Sequence, residues 1–168
     1  MRKVIMPNSM QPYESGTMHD CRLPATIELK EYWQAQYDSA NGVPLYRNVE
    51  LMDLYKIAHL MTIKDVINGG EDFFNRFWGS ELCRALGFEA TGMRVSEFEP
   101  EQLRKNVFKR YRSIVANRDP ESRRAEIEHL ERRKFVTYEV LHVPFLDDEG
   151  GSVSQIMTVF EFNFPLER

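Results

Sequence analysis

Cysteine and long apolar runs are both scarce in this chain, and each shortage excludes a class of protein. Only Cys21 and Cys83 occur in 168 residues, which is too few for a disulfide framework or a cysteine-based zinc site. A reducing, cytoplasmic location is therefore predicted. No apolar run approaches the roughly 18 residues that a membrane-spanning helix needs, and the first ten residues do not form a secretory signal. We expect neither membrane insertion nor secretion.

Basic charge and catalytic motifs are also missing. The 22 lysines and arginines are outnumbered by 26 aspartates and glutamates, which gives a net charge of -4. This balance argues against non-specific binding to nucleic acid, which needs a basic surface. The sequence contains no phosphate-binding P-loop, no nucleophile elbow and no paired-histidine zinc-protease motif. We therefore predict a protein that is not an enzyme.

The composition that remains is that of one globular domain, with 42% hydrophobic and 29% charged residues. Residues 1–24 lack periodicity and contain Pro7, Pro12, Gly16 and Pro24, so they are predicted to form a flexible leader. Residues 25–168 then form the single domain.

Periodicity predicts a helix at about 27–40, followed by a core at about 51–164. Within that core we expect strands at 59–67 and 73–78, a short helix at 81–86 and a long helix at 101–117. Three further strands are predicted at 122–130, 134–145 and 153–164. Such a non-alternating order is typical of an α+β fold with an antiparallel sheet. Five strands would carry helices on one face, and the N-terminal helix would pack on the other face.

Several short segments carry a resemblance to a known family. They are LKEYW at 29–33, PLYR at 44–47, FNRFWGS at 74–80, LGFEATG at 86–92, and the strand 138–145 followed by Gly150 and Gly151. In their order and spacing they resemble a bacterial family of stand-alone PAS-type proteins. The resemblance implies a five-stranded antiparallel sheet with a helical cleft on one face. It also implies sensing or protein contact in signal transduction, and it supplies no catalytic residues and no ligand.

The cofactor is left unknown, because two common PAS cofactors lack their usual residue. Some PAS domains hold haem through a histidine on the long helix, and residues 101–117 contain none, although His59 or His142 remain as substitutes. Flavin-adduct domains carry their cysteine in an Asn-Cys-Arg-Phe-Leu-Gln context, whereas Cys83 lies in Glu-Leu-Cys-Arg-Ala-Leu. Haem and a flavin adduct are therefore disfavoured. No third histidine or cysteine joins His129 and His142, so no metal site is predicted.

Candidates for a ligand pocket are the residues expected to converge between the long helix and the sheet: Arg76, Phe77, Trp78, Phe108, Tyr111, Tyr138 and His142. Aromatic residues at this spacing also suit an ordinary core. Arg76 stands in an otherwise apolar strand. It can be exposed or paired within the chain, with Glu139 as one partner, or it can bind the carboxylate of a small ligand.

Two apolar surfaces are candidates for contact with a partner. Tyr32, Trp33 and Tyr37 form a stripe on the first helix, and Phe160 and Phe162 alternate in the last strand. These surfaces can pack on each other within one molecule, or they can join a second copy or another protein. We expect both, and therefore predict a homodimer.

The leading hypothesis is a stand-alone sensory or regulatory domain that binds a small ligand or a signalling protein. The first alternative is an interaction domain with a filled core and no ligand. The second is a small isomerase or dehydratase of cystatin-like shape, for which Glu139 and His142 are the best acid–base candidates.

Overall fold

The fold is given by a computed structural model that describes residues 4–5, 11–129 and 134–164. Its strands are β1 (Val4–Ile5), β2 (Gln11–Gly16), β3 (Met61–Ile67), β4 (Asp72–Trp78), β5 (Phe98–Glu99), β6 (Glu121–His129), β7 (Lys134–Leu146) and β8 (Val153–Asn163). Its α-helices are α1 (Pro24–Ala40), α2 (Ser80–Leu86) and α3 (Glu101–Asn117). Of these helices, none is long and apolar enough to cross a membrane.

Six strands form one antiparallel sheet in the order β2-β6-β7-β8-β3-β4. Five of them are the strands that the sequence predicts, and their α+β arrangement is confirmed. Successive side chains of the long strands point to opposite faces of the sheet, and both faces carry apolar residues. The turn at Asn68, Gly69 and Gly70, all with positive φ, joins β3 to β4 as a tight hairpin. A short parallel pair of β1 with β5 lies outside this sheet.

The sixth strand, β2, lies in the segment predicted to be a flexible leader. Its backbone pairs with β6, with a register shift between Pro12 and Glu14. Without β2, β6 would be the edge of the sheet and would present unpaired backbone groups, which pairing with β2 satisfies. A proline is compatible with an edge position or a bulge, where its missing N–H costs no ladder bond. Pro12 therefore did not exclude a strand here.

The sheet is covered on both sides. On its outer face, α1 packs through Leu29 and Trp33 on Leu141, Phe145 and Met157. On its inner face, α2 and α3 close a second core with Phe73, Tyr111, Tyr138, Ile156 and Phe160 among its buried members. Helices on one face and an N-terminal helix on the other confirm the predicted layers.

The start of α1 differs from the prediction. The helix begins at Pro24 rather than near residue 27, and Leu23 at its N-cap provides no side-chain hydrogen bond. Thr26 lies in the first turn, with its hydroxyl oxygen 2.9 Å from the Leu23 carbonyl oxygen. The end is as predicted, because Asn41 adopts a left-handed conformation with φ 53°.

Gly79 fixes the junction between the sheet and α2. Its N–H donates to Met61 O at 2.8 Å, and a Cβ atom at this position would stand 2.4 Å from the carbonyl oxygen of His59. Only glycine allows the two chain segments to approach this closely. The close approach positions α2 against the end of β4, beside the inner core.

Candidate functional site

A cavity of about 500 Å³ lies between α3 and the inner face of the sheet. Its apolar wall is formed by Trp78, Leu86, Phe98, Leu103, Val107, Tyr111 and Phe160. Its ionisable lining is formed by Lys64, Lys109, Arg110, Glu121, Arg123 and His142, with Ser15, Asn106 and Ser113 also contributing. The volume lies within the usual range for small-molecule sites.

The floor of the cavity carries a polar row that runs across the sheet. The residues directly opposite one another in register are Glu121, His142, Thr158, Thr62 and Trp78. Directly opposed residues point to the same face, so this row looks toward α3. The hydroxyls of Thr62 and Thr158 and the ring of His142 are almost completely buried. Polar groups in such a place need partners.

Lys64 is a buried cation in the cavity wall. Only 2% of the residue is exposed, and its Nζ donates to Thr62 Oγ1 at 3.1 Å. The same Nζ lies 4.9 Å from the ring centre of Tyr111 and 5.5 Å from that of Trp78, which are cation–π distances. Among the described residues no carboxylate forms an ion pair with Lys64. An ammonium group has three N–H donors, so two of those of Lys64 make no hydrogen bond to the described residues.

His142 lies fully buried between these groups. Its Nδ1 is 2.7 Å from Thr158 Oγ1, and the edge of its ring meets Tyr111 at 5.2 Å between centres. Burial lowers the pKa of His142 well below 6.5, and the charges of Arg110 and Lys64 act in the same direction. The imidazole is therefore neutral at physiological pH.

Two arginines line the cavity, one from α3 and one from β6. Arg110 Nε lies 3.7 Å from Glu121 Oε1. Burial raises the pKa of Glu121, and Arg110 partly opposes that effect. Arg123 is only 7% exposed, and its guanidinium carbon lies 6.0 Å from the ring centre of Tyr138. The lining thus holds one carboxylate and several cations.

Three buried polar atoms of the lining have no hydrogen-bond partner among the described residues: Trp78 Nε1, Arg123 Nε and His142 Nε2. Leaving a buried donor or acceptor without a partner costs about 1–3 kcal/mol each. The cavity thus brings together three polar atoms whose burial is unfavourable unless another group satisfies them.

The predicted pocket residues divide between this cavity and other places. Trp78, Tyr111 and His142 line it, and Phe160, predicted for a partner surface, joins them. Tyr138 lies beside the cavity, where its ring packs on Phe160 at 5.8 Å; burial raises the pKa of Tyr138.

The remaining candidates are elsewhere. Arg76 forms a two-pronged ion pair with Asp65, with Nη2 to Oδ2 at 2.8 Å and Nε to Oδ1 at 2.9 Å. Its side chain is 54% exposed and does not line the cavity. The alternative of an exposed, internally paired Arg76 describes it, with Asp65 rather than Glu139 as the partner. Phe77 is 37% exposed. Phe108 is half-buried on α3 and packs on Phe73 and under Arg112.

The predicted partner surfaces are mostly used within the molecule. Trp33 is 2% exposed and donates from Nε1 to Pro144 O at 2.8 Å. Phe160 and Phe162 are buried in the inner core. The hydroxyl of Tyr32 accepts from Glu50 N, and Tyr37 alone among the five is exposed. The helix stripe packs on the outer face of the last strand, where Met157 and Val159 share its core, but it does not meet Phe160 and Phe162, which lie on the opposite face of the sheet.

A second polar cluster lies on the outer face, where Glu139 meets the start of α1. One oxygen of Glu139 accepts from the N–H groups of Arg22 and Leu23 at 2.8 and 3.0 Å and from the Thr26 hydroxyl. Its other oxygen accepts from Arg124 Nε at 3.2 Å. Burial raises the pKa of Glu139, but these hydrogen bonds outweigh it and leave the pKa lowered. Glu139 and His142 therefore lie on opposite faces and form no acid–base pair.

Neither cysteine lines the cavity, and both are unpaired thiols. Burial raises the pKa of Cys21 and of Cys83 to about 11, so both are protonated at neutral pH. Across the described parts of the chain, no group of three or more histidine, cysteine or acidic residues is arranged to hold a metal ion.

Sequence reasoning missed the cations of the site. Lys64 stands between Ile63 and Asp65, and Arg123 stands between Ser122 and Arg124; charged residues in such surroundings are ordinarily exposed to solvent. The available signal was the two-residue period of a strand, which places Lys64 on the same face of β3 as Thr62, and Arg123 on the same face of β6 as Ala125 and Ile127. Only the docking of α3 shows that these faces are interior.

Comparison with known proteins identifies the fold family. A family model described as a PAS domain matches residues 21–159. No match is found among curated proteins.

Two solved structures are similar to the chain at low identity. One is an RNA-binding light-oxygen-voltage receptor, with 16% identity and a TM-score of 0.46, covering 71% of this chain and 35% of that one. The other is a sensory box histidine kinase/response regulator from Burkholderia thailandensis E264, with 10% identity and a TM-score of 0.36, covering 67% of this chain and 82% of that one. The chain thus spans about a third of the first protein's length. Because the family model matches most of its residues, the chain belongs to the PAS-domain family.

Proposed function

We propose that this PAS domain is a sensory module that binds a small molecule in the cavity between α3 and the sheet. The observation that carries the proposal is a set of three buried polar atoms, on Trp78, Arg123 and His142, that find no partner in the described part of the chain and surround about 500 Å³ of space. A core that only stabilises a fold is packed to high density and satisfies its polar groups. A bound molecule would supply the missing contacts.

The sheet offers a route from the cavity to the surface. Phe160 lines the cavity, and the next residue, Glu161, accepts a hydrogen bond from Ala25 N at the start of α1 on the outer face. Glu139 holds the same helix end from the neighbouring strand. A ligand that favours one arrangement of β7 and β8 would therefore shift the position of α1, and a partner protein in contact with α1 would receive the signal.

The two alternatives have less support. An interaction domain with a filled core does not account for the cavity or for its unpaired donors. A cystatin-like isomerase or dehydratase needs an acid and a base in one place, and Glu139 and His142 face opposite sides of the sheet. We propose that the protein acts by binding and not by catalysis.

The test is to extract the purified protein and to identify bound small molecules by mass spectrometry, in parallel with a cavity-filling variant. In Val107→Trp the larger ring occupies the space beneath α3, so the compound found with the wild type is expected to disappear. Ala116→Trp adds the same ring on the exposed side of α3 and is expected to retain the compound. Circular dichroism confirms that both variants are folded.

A wild-type extract that matches the blank, together with an unfolding midpoint that extraction does not change, would contradict the ligand-binding function. The interaction domain would then be the better account.

Other features of the proposal remain predictions: a homodimer, a signalling protein as partner, a cytoplasmic location, and no binding to nucleic acid. Gel filtration with light scattering tests the first. If a homodimer forms, Trp33, Phe160 and Phe162 are too buried to provide its surface.

A further inference from the structure

The charges around the cavity do not balance, and this imbalance identifies a ligand class. Lys64, Lys109, Arg110 and Arg123 line the cavity with one carboxylate, Glu121. Glu121 is already opposite Arg110, with 3.7 Å between Nε and Oε1. Among the described residues, the buried Lys64 and Arg123 therefore have no carboxylate within ion-pair distance.

A buried cation without a counter-charge is costly, because desolvation of an ion is repaid only by close pairing and hydrogen bonds. Lys64 obtains one hydroxyl contact and two aromatic faces, and Arg123 obtains the face of Tyr138. An anion in the cavity would satisfy both the charge and the free donors.

The unpaired atoms near Lys64 are suited to an acceptor-rich group. Trp78 Nε1 is a donor only, and it lies on the residue whose ring Lys64 approaches at 5.5 Å. When the Thr158 hydroxyl donates to His142 Nδ1, Nε2 carries the proton and becomes another donor. An ammonium, an indole N–H and an imidazole N–H then line the same cavity.

A large part of the remaining wall is apolar, with Phe98, Leu103, Val107 and Phe160 lining the cavity. Such a wall suits a hydrocarbon or aromatic body and not a small hydrated ion. The donors are side chains on strands, without the glycine-rich loop or helix N-terminus that phosphate sites commonly use.

We propose that the ligand is an organic carboxylic acid with an apolar body, whose carboxylate is bound by Lys64, Trp78 and His142. This inference rests on the proposed function, since it specifies what the same cavity binds. Arg123 and Arg110 add positive charge on the β6 side of the cavity, so that an acid with a second negative group is also accommodated.

The test compares acids with neutral molecules of the same shape. Phenylacetate, 3-phenylpropionate and octanoate are titrated against the purified, extracted protein beside their primary amides, with acetate as a carboxylate that lacks an apolar body. The dissociation constant is measured by calorimetry and the unfolding midpoint by differential scanning fluorimetry. At least one acid is expected to bind about tenfold or more tightly than its amide, because a hydrogen bond to a charged group exceeds a neutral one by that margin.

Lys64→Met keeps the length of the side chain and removes its charge. We expect this variant to lose the preference for acid over amide, while its unfolding midpoint without ligand stays equal or rises. Lys105→Met is the matched control, because Lys105 lies on the exposed side of α3 and pairs with Glu101 at 2.8 Å; it should bind like the wild type. If Lys64→Met does not fold, Trp78→Phe is the second variant, because it removes the indole N–H proposed to bind the carboxylate and should reduce the preference for acid over amide.

The outcomes separate the inference from the proposed function. Equal binding of acids and amides, a neutral or cationic compound in the extract, or an unchanged acid preference in Lys64→Met would overturn the carboxylate inference and leave the ligand-binding function in place. Extraction that yields nothing, with no acid or amide bound, would overturn both. An acidic compound in the extract that Lys64→Met no longer retains would support both.

Discussion

At the scale of single residues, His142 connects the cavity with the stability of the fold. It is fully buried on β7, with Arg110 and Lys64 facing it from α3 and β3, Tyr111 against its ring, and Glu121 opposite it on β6. Burial is the main cause of its lowered pKa. The folded protein therefore leaves this imidazole neutral at pH values where the unfolded chain takes up a proton.

The free energy of unfolding is expected to fall as the pH drops from 7 to 5. The unfolded histidine has a pKa of about 6.5 and binds a proton that the folded one does not, so stability rises with pH in this window. For one such residue the loss reaches about 2 kcal/mol between pH 7 and pH 5. Urea denaturation at both pH values measures it.

His142→Gln should reduce this dependence on pH by about the same amount, because glutamine does not titrate. His19→Gln replaces an exposed histidine and is the matched control, with the pH dependence of the wild type. Identical pH dependences for His142→Gln and the wild type would contradict a buried, neutral His142.

At the scale of elements, α1 is attached to the sheet by carboxylates that stand in for a helix cap. The first N–H groups of a helix lack partners within it, and here Glu139 and Glu161 accept from Arg22, Leu23 and Ala25. A negative charge at this end also interacts favourably with the helix dipole. These hydrogen bonds join the start of α1 to both β7 and β8.

Glu139→Gln is expected to lower the free energy of unfolding by about 3 kcal/mol, because it removes a buried charge opposite Arg124 and weakens several hydrogen bonds. Since the folded pKa of Glu139 is lowered, its stabilisation is present above the unfolded pKa of about 4.3 and is lost as the pH falls through the folded pKa. Urea denaturation at pH 7 measures the loss, and hydrogen exchange at residues 22–27 locates it.

The control for this change is Glu126→Gln, which alters an exposed glutamate on the adjacent strand β6. It should change stability by less than about 0.5 kcal/mol. A similar loss in both variants, or unchanged exchange at the start of α1, would show that Glu139 does not anchor the helix.

At the scale of the whole molecule, one sheet separates two cores with different contents. The outer core is tightly apolar and is closed by α1, whereas the inner core surrounds the cavity with its cations. The outer core packs α1 on the sheet, whereas the inner core leaves the space of the cavity between α3 and the sheet. Three of the five aromatic residues predicted to join a partner, Trp33, Phe160 and Phe162, are buried in these cores.

Trp33→Leu is therefore expected to reduce stability without changing the oligomeric state. The loss is about 3 kcal/mol, because the substitution leaves a cavity and removes the hydrogen bond to Pro144 O. Tyr37→Leu, on the exposed side of the same helix, should cost less than about 1 kcal/mol. Chemical denaturation and sedimentation velocity measure the two quantities. A folded Trp33→Leu protein with a smaller oligomer than the wild type would contradict an intramolecular role.

Much of the fold was predictable because its signals are local. Asn41 and Gly87 end helices in a left-handed conformation, and alternating apolar residues predict β7 and β8. Strand β2 was not predictable in this way, since prolines and polar residues mask a strand whose stability comes from pairing with β6. The start of α1 was misplaced for a similar reason, because its cap is provided by Glu139, more than a hundred residues away in the chain.

The site shows the same division. The sequence by itself determined the α+β class and the order of the main helices and strands, because hydrophobic periodicity fixes which side of each element is buried, whereas the convergence of Trp78, Tyr111 and His142 on one cleft was an expectation from the resemblance to PAS-type proteins. The tertiary structure alone decided that Arg76 pairs with Asp65 in the open, and that Lys64 and Arg123 are enclosed with no ion-paired carboxylate among the described residues. The physical reason is that the environment of a charged side chain depends on which elements pack over its face of the sheet, and that packing is set by contacts between segments distant in sequence.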